Sequence, residues 1–138
     1  MFAKIMTPVD LRHVDRLEKS LECSAELARH YGASLVYVGV TGAMPGSVAH
    51  NPEEYAQKLA AFATEQGEAR GIATSSHAVT AHDPSVDLDG ALLKAVGETG
   101  ADLVVMGTHV PGLSDYIWSS NGGKIAAHAD VSVMLVRG

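Results

Sequence analysis

Two stretches carry residue types able to do chemistry. The first runs from Met106-Gly107-Thr108-His109 to Ser119-Ser120-Asn121-Gly122-Gly123. It opens where the apolar run Leu103-Val104-Val105-Met106 stops at a glycine, and it closes where a helix-patterned segment, Lys124 to Ala129, begins. The expected path is strand, long loop, helix, and the loop exceeds the usual connection of roughly two to six residues, as functional loops do. Small residues gathered at a helix start leave backbone N–H groups free, and the positive end of the helix dipole favours an anion such as phosphate. The second stretch is the end of the first apolar segment, where Asp10 places a carboxylate. On residue type alone Asp10, Ser119 and Ser120 are all helix caps. Gly122-Gly123 is harder to read as mere capping, because glycine in a helix costs roughly 0.5–1 kcal/mol relative to alanine. Close approach of a ligand or of another backbone would explain the pair.

The remaining reactive side chains are isolated. His109 has no acidic or nucleophilic neighbour in its motif, so it reads as a hydrogen-bonding loop residue rather than a general base. The other histidines form no HxxxH pair or His–acid cluster, and no metal site is expected. Cys23 is the only cysteine; lying beside the apolar face of a helix, it reads as packing rather than nucleophile. Tyr116 and Trp118 precede a helix, where aromatics serve core or interface more often than base stacking.

Composition narrows the partners. The chain has 138 residues, 46% of them hydrophobic, and a formal charge of −6. That length suits one domain, residues 1–138, with a true core. The net negative charge without any basic stripe argues against nucleic acid and anionic lipid, leaving small molecules or proteins. A lone cysteine excludes a disulfide framework within the chain and suits the reducing cytoplasm. The short N-terminal apolar segment, interrupted by Lys4 and Pro8, is no signal peptide or membrane span.

These residues need elements to position them, and the hydrophobic pattern supplies an alternation. Ala3 to Val9 reads as a buried strand closed by Pro8 and Asp10. Val14, Leu17, Leu21, Ala25 and Ala28 follow the spacing of one helical face, with a stop at Tyr31-Gly32. Ser34 to Val40 is a near-continuous apolar strand, as parallel strands covered on both faces are. A Gly- and Pro-bearing loop from Thr41 to His50 leads to Asn51-Pro52-Glu53-Glu54, a helix start with capping Asn, Pro at the first position and two acids at the dipole. That helix sets Tyr55, Leu59 and Phe62 on one side and ends near Gly67 or Gly71. Ile72 to Ala81 is a more polar strand expected at an edge. Asp83-Pro84-Ser85 opens a third helix with face Leu88, Ala91, Leu92, Ala95 and Val96, closed by Gly97 to Gly100. Asp102 to Gly107 and Val131 to Val136 complete five strands. Strict alternation implies right-handed crossovers and a parallel sheet with helices on both faces, so ligands belong at the strands' carboxyl ends.

Lys4-Ile5-Met6-Thr7-Pro8-Val9-Asp10, Gly107-Thr108-His109, Ser119-Ser120-Asn121 and His128 to Arg137, in this order across the whole chain, resemble the universal stress protein family. The nearest likeness is to the branch with a Gly-Ser-Asn type of phosphate loop, matched by Pro111 and Ser119-Ser120-Asn121. The resemblance implies an open Rossmann-like sheet with strand order 3-2-1-4-5 and a site for ATP or another adenine nucleotide. The implied site draws on Pro8, Val9, Asp10, Val40, Met106, Gly107, His109, Val110, Ser119, Ser120, Asn121, Gly122 and Val133. Within it, Asp10 would hold the ribose, Val40 the adenine, Gly107 the turn of the phosphate loop and Ser120 a phosphate. Val110 and Ser119 stand where that family's ATP-binding pattern has glycine, which implies weakened binding. Any Mg²⁺ would lean on the phosphates rather than on a protein cage. The resemblance also implies a homodimer through Val131 to Val136. Two function classes follow, a nucleotide-binding stress-response regulator or a nucleotide-free dimeric interaction protein. Rapid enzymatic turnover ranks behind both, since no nucleophile–base pair stands at the strand ends.

Overall fold

A computed structural model describes residues 1–108 and 122–138. His109, Val110, Ser119, Ser120 and Asn121, together with Pro111, Tyr116 and Trp118, lie outside the described residues. Five strands, β1 (Lys4–Pro8), β2 (Ser34–Gly42), β3 (Thr74–Ala81), β4 (Leu103–Gly107) and β5 (Ser132–Val136), alternate with helices α1 (Glu18–Tyr31), α2 (Pro52–Arg70), α3 (Pro84–Thr99) and α4 (Gly122–His128). All pairings are parallel, and the sheet order is β3-β2-β1-β4-β5.

Right-handed crossovers put α1 and α2 on one face and α3 and α4 on the other. Arg70 fastens the first pair, donating to Glu18 at 2.9 Å while its carbonyl accepts from Arg29 at 2.7 Å. The central strands are buried on both faces, with Ile5, Met6, Leu35, Val38, Val104 and Val105 all in the core. Tyr37 meets Phe62 of α2 edge-to-face, centroids 5.2 Å apart. Helix faces follow the sequence pattern: Leu21, Ala25 and Ala28 of α1, Tyr55, Leu59 and Ala63 of α2, and Leu88, Leu92, Ala95 and Val96 of α3 are buried.

Several boundaries differ from the sequence reading. Helical structure begins at Val14 as a single 3-10 turn, Val14–Arg16, and α1 starts only at Glu18. β1 spans Lys4–Pro8, one residue shorter at each end than the Ala3 to Val9 read from sequence. Val9 N–H donates to Val38 O at 2.8 Å, so by alternation the Pro8 nitrogen faces β4. Pairing of β1 with β4 ends at Met6↔Val104, and no ladder bond is lost at a proline that central strands normally exclude. α4 starts two residues before Lys124, at Gly122. The expected cap at Asn51 is present, its side chain accepting from Glu54 N–H at 2.8 Å, with Pro52 in the first turn. Gly71 ends α2 with a left-handed φ of 66°, a conformation that a Cβ disfavours.

Candidate functional site

β1 stops at Pro8, and the chain turns at once because Asp10 binds its own neighbourhood. The Asp10 carboxylate accepts Arg12 N–H at 3.0 Å, an Asx turn, and Asp10 O accepts His13 N–H at 3.0 Å. Asp10 therefore does not cap α1, which begins later. The Arg12 guanidinium closes back on the same carboxylate, Nε to Oδ1 at 3.1 Å and Nη2 to Oδ2 at 3.2 Å. Asp10 is only 8% exposed, whereas the Arg12 side chain is 45% exposed.

This turn forms one wall of a cleft of about 500 Å³ at the carboxyl ends of β1 and β2. Val9 and Asp10 contribute from β1's end, Val40, Thr41 and Gly42 from β2, Tyr55 from α2, and Asp83, Pro84 and Leu88 from the start of α3. The cleft thus straddles the carboxyl ends of the strands, taking residues from helices on both faces. The loop after β2 closes its far side with Met44, Gly46, Ser47, Val48 and Ala49. Lys58 of α2 holds that loop by donating to Val48 O. Tyr55 reaches the cleft only because residue 39 is glycine: a Cβ there would lie 3.0 Å from ring atoms Cε1 and Cζ. Burial and, after it, the nearby Asp10 carboxylate push the Tyr55 hydroxyl well above its ordinary pKa.

Among the described residues proposed from sequence, Val9, Asp10 and Val40 meet in this cleft. Pro8, Met106, Gly107, Gly122 and Val133 do not line it. Met106 is buried in the core, and Gly107 packs under α1, where a Cβ would come within 3.1 Å of Ser20 Oγ and 3.3 Å of Leu17. Gly122 answers to a protein side chain: a Cβ would lie 3.0 Å from Leu135 of β5, while Gly123 faces open space. Val133 is partly buried on β5, opposite Val104. Arg12, Tyr55 and the α3 start escaped sequence reasoning. The available signal was an arginine two residues after a strand-end Asp, the spacing of a side-chain-closed turn.

The isolated residues keep ordinary roles. Cys23 rests 3.9 Å from Met134 Sδ, its thiol pKa raised by burial and then by Glu26. His77 pairs with Glu98 at 3.2 Å. Among the described residues no three His, Cys, Asp or Glu side chains gather as a metal site, and no helix is long and apolar enough to cross a membrane.

An open parallel sheet in this order, with its cleft at the carboxyl ends of adjacent strands, defines a Rossmann-like architecture. The model of the universal stress protein family matches residues 1–137. The chain belongs to the universal stress protein family. Universal stress protein G of Salmonella typhimurium is 26% identical over 148 residues, spanning 99% of this chain and 100% of that relative. A family member from Burkholderia pseudomallei superposes with a TM-score of 0.71 at 24% identity, covering 97% of this chain and 95% of its own. The universal stress protein from Archaeoglobus fulgidus in complex with dAMP gives a TM-score of 0.66 at 21% identity, covering 96% of each chain.

Proposed function

We propose that this protein is a cytoplasmic, adenine-nucleotide-binding regulatory member of its family, acting as a homodimer, and that the cleft is its nucleoside site. The observation that carries the reading is the convergence of Val9, Asp10 and Val40 on one cleft. Apolar side chains from Val9, Val40 and Leu88 suit the faces of a base. A nearly buried carboxylate beside them suits ribose hydroxyls, since hydrogen bonds to a charged acceptor are the strong ones. The Archaeoglobus relative holds dAMP, an adenine nucleotide, on the same fold.

The phosphates fall to the segment that includes Val110, Ser119, Ser120 and Asn121. If that loop requires left-handed backbone at Val110 or Ser119, each non-glycine residue costs roughly 1–2 kcal/mol, and about 1.4 kcal/mol is tenfold in affinity. ATP should therefore bind more weakly than in a relative with all the motif glycines. Any Mg²⁺ would arrive on the nucleotide, held by phosphate oxygens and water.

One observation favours a nucleotide-free interaction protein instead: the Asp10 carboxylate is already engaged by Arg12, so the cleft fills part of its own acceptor set. Calorimetric titration with ATP separates the readings. Binding should be detectable, weaker in Asp10→Ala and Ser120→Ala, and unchanged or tighter in Ser119→Gly. No heat, with no change in melting temperature at millimolar ATP, leaves the interaction protein in its place.

A further inference from the structure

The Asp10 carboxylate has two oxygens and about four acceptor positions. Oδ1 receives two N–H groups, Arg12 N at 3.0 Å and Arg12 Nε at 3.1 Å, and Oδ2 receives Arg12 Nη2 at 3.2 Å. Counting donors among the described residues, one position, on Oδ2, is left. A vicinal diol gripped by a carboxylate needs two.

We propose that Arg12 is a latch on Asp10, whose guanidinium fork must open before a ribose diol can take the carboxylate, so that Arg12 sets the affinity for diol-bearing ligands. This inference rests on the nucleoside reading of the cleft. The backbone N–H of Arg12 is fixed by the turn and stays. The guanidinium is the part free to leave, because its side chain is half exposed while Asp10 is nearly buried and because a long flexible stem carries it. Its departure frees one acceptor position on each oxygen, the pattern a diol requires. The ligand must then replace the latch rather than fill an empty acceptor, which lowers its apparent affinity by the strength of the fork.

The test compares adenosine with 2′,3′-dideoxyadenosine, which lacks both ribose hydroxyls, in calorimetric titrations of the wild type, Arg12→Ala and Arg12→Lys. A partly exposed ion pair of this kind corresponds to about two- to fivefold in affinity. Arg12→Ala should bind adenosine tighter by that factor and dideoxyadenosine no tighter. Arg12→Lys, which keeps the charge without the fork, should fall between. Melting curves of the unliganded variants confirm that each is folded, and adenosine should raise the melting temperature of Arg12→Ala by more than that of the wild type. Equal tightening of both nucleosides would mean that the arginine only crowds the cleft, and unchanged or weaker adenosine binding would mean that it contacts the ligand; either result overturns the latch. AMP binding to the wild type without an adenosine-specific gain overturns the latch alone. Absence of AMP and adenosine binding in every protein overturns the nucleotide reading and the latch with it.

Discussion

Asp102 shows how one side chain can fasten the amino ends of two interior strands. Its Oδ2 accepts Ala3 N–H at 2.9 Å and its Oδ1 accepts Lys4 N–H at 3.1 Å, tying the start of β1 to the start of β4. These backbone donors, Ala3 first, hold its carboxyl below the ordinary carboxylate value of 3.8. A carboxyl whose folded pKa is depressed stabilises the fold above its unfolded pKa and loses that contribution as pH falls through the folded value. Asp102→Asn should therefore be less stable than the wild type at neutral pH, and the gap in urea midpoints should close below about pH 4, the ordinary carboxylate range. A gap that persists unchanged at pH 2–3 would assign the loss to packing instead of charge. Residues of this kind were hard to read from sequence, because Asp102 is separated by 99 and 98 residues from the amides it binds. Asp10 was legible as a strand-end acid, whereas its partner Arg12 was not, since the fork depends on a turn that no periodicity announces. Gly122 was legible only as an anomaly, and the reason for it, the Leu135 side chain, comes from the strand that follows its helix.

At the scale of elements the sequence was most readable where a pattern runs over many residues. The apolar faces of α1, α2 and α3 follow from spacing alone, and the Asn51-Pro52 start of α2 follows from local chemistry. β5 carries the next expectation. Met134 and Leu135 are 42% and 40% exposed on the outermost strand, an edge that invites another strand. Val136 O accepts Thr108 N–H at 2.8 Å, so by alternation Val136, Met134 and Ser132 point their backbone groups to β4, and Val133 and Leu135 point theirs outward. An antiparallel pairing of β5 with its copy about a two-fold axis would satisfy those outward groups in both chains. Val133→Pro removes an outward donor while sparing the ladder to β4. The wild type should run as a dimer by light scattering at micromolar concentration, and Val133→Pro as a folded monomer. A wild-type monomer at that concentration sinks the expectation.

The proposed nucleoside cleft and the expected β5 pairing edge lie on one sheet. The alternating pattern was enough for a parallel sheet with helices on both faces, and the family resemblance was needed for its strand order, since periodicity does not say which strands are neighbours. The cleft lies at the ends of β1 and β2, while β5 is two strands from β1, about 10 Å at roughly 4.8 Å per strand. Perturbations at that separation without shared partners add to within about 0.3–0.5 kcal/mol. A ligand and a second chain that bind only the native state each raise the melting temperature by mass action, by about 2.7 kcal/mol of stability at a ligand concentration one hundred times its dissociation constant. Val133→Pro should then lose the dependence of melting temperature on protein concentration and keep the increment from saturating AMP. Asp10→Ala should do the reverse. Val133 is the residue at which the two surfaces would merge, because the family resemblance gives it to the nucleotide while its backbone faces the edge. Loss of both increments in Val133→Pro, with Asp10→Ala losing only the AMP increment, would mean that the nucleotide site is completed by the partner chain.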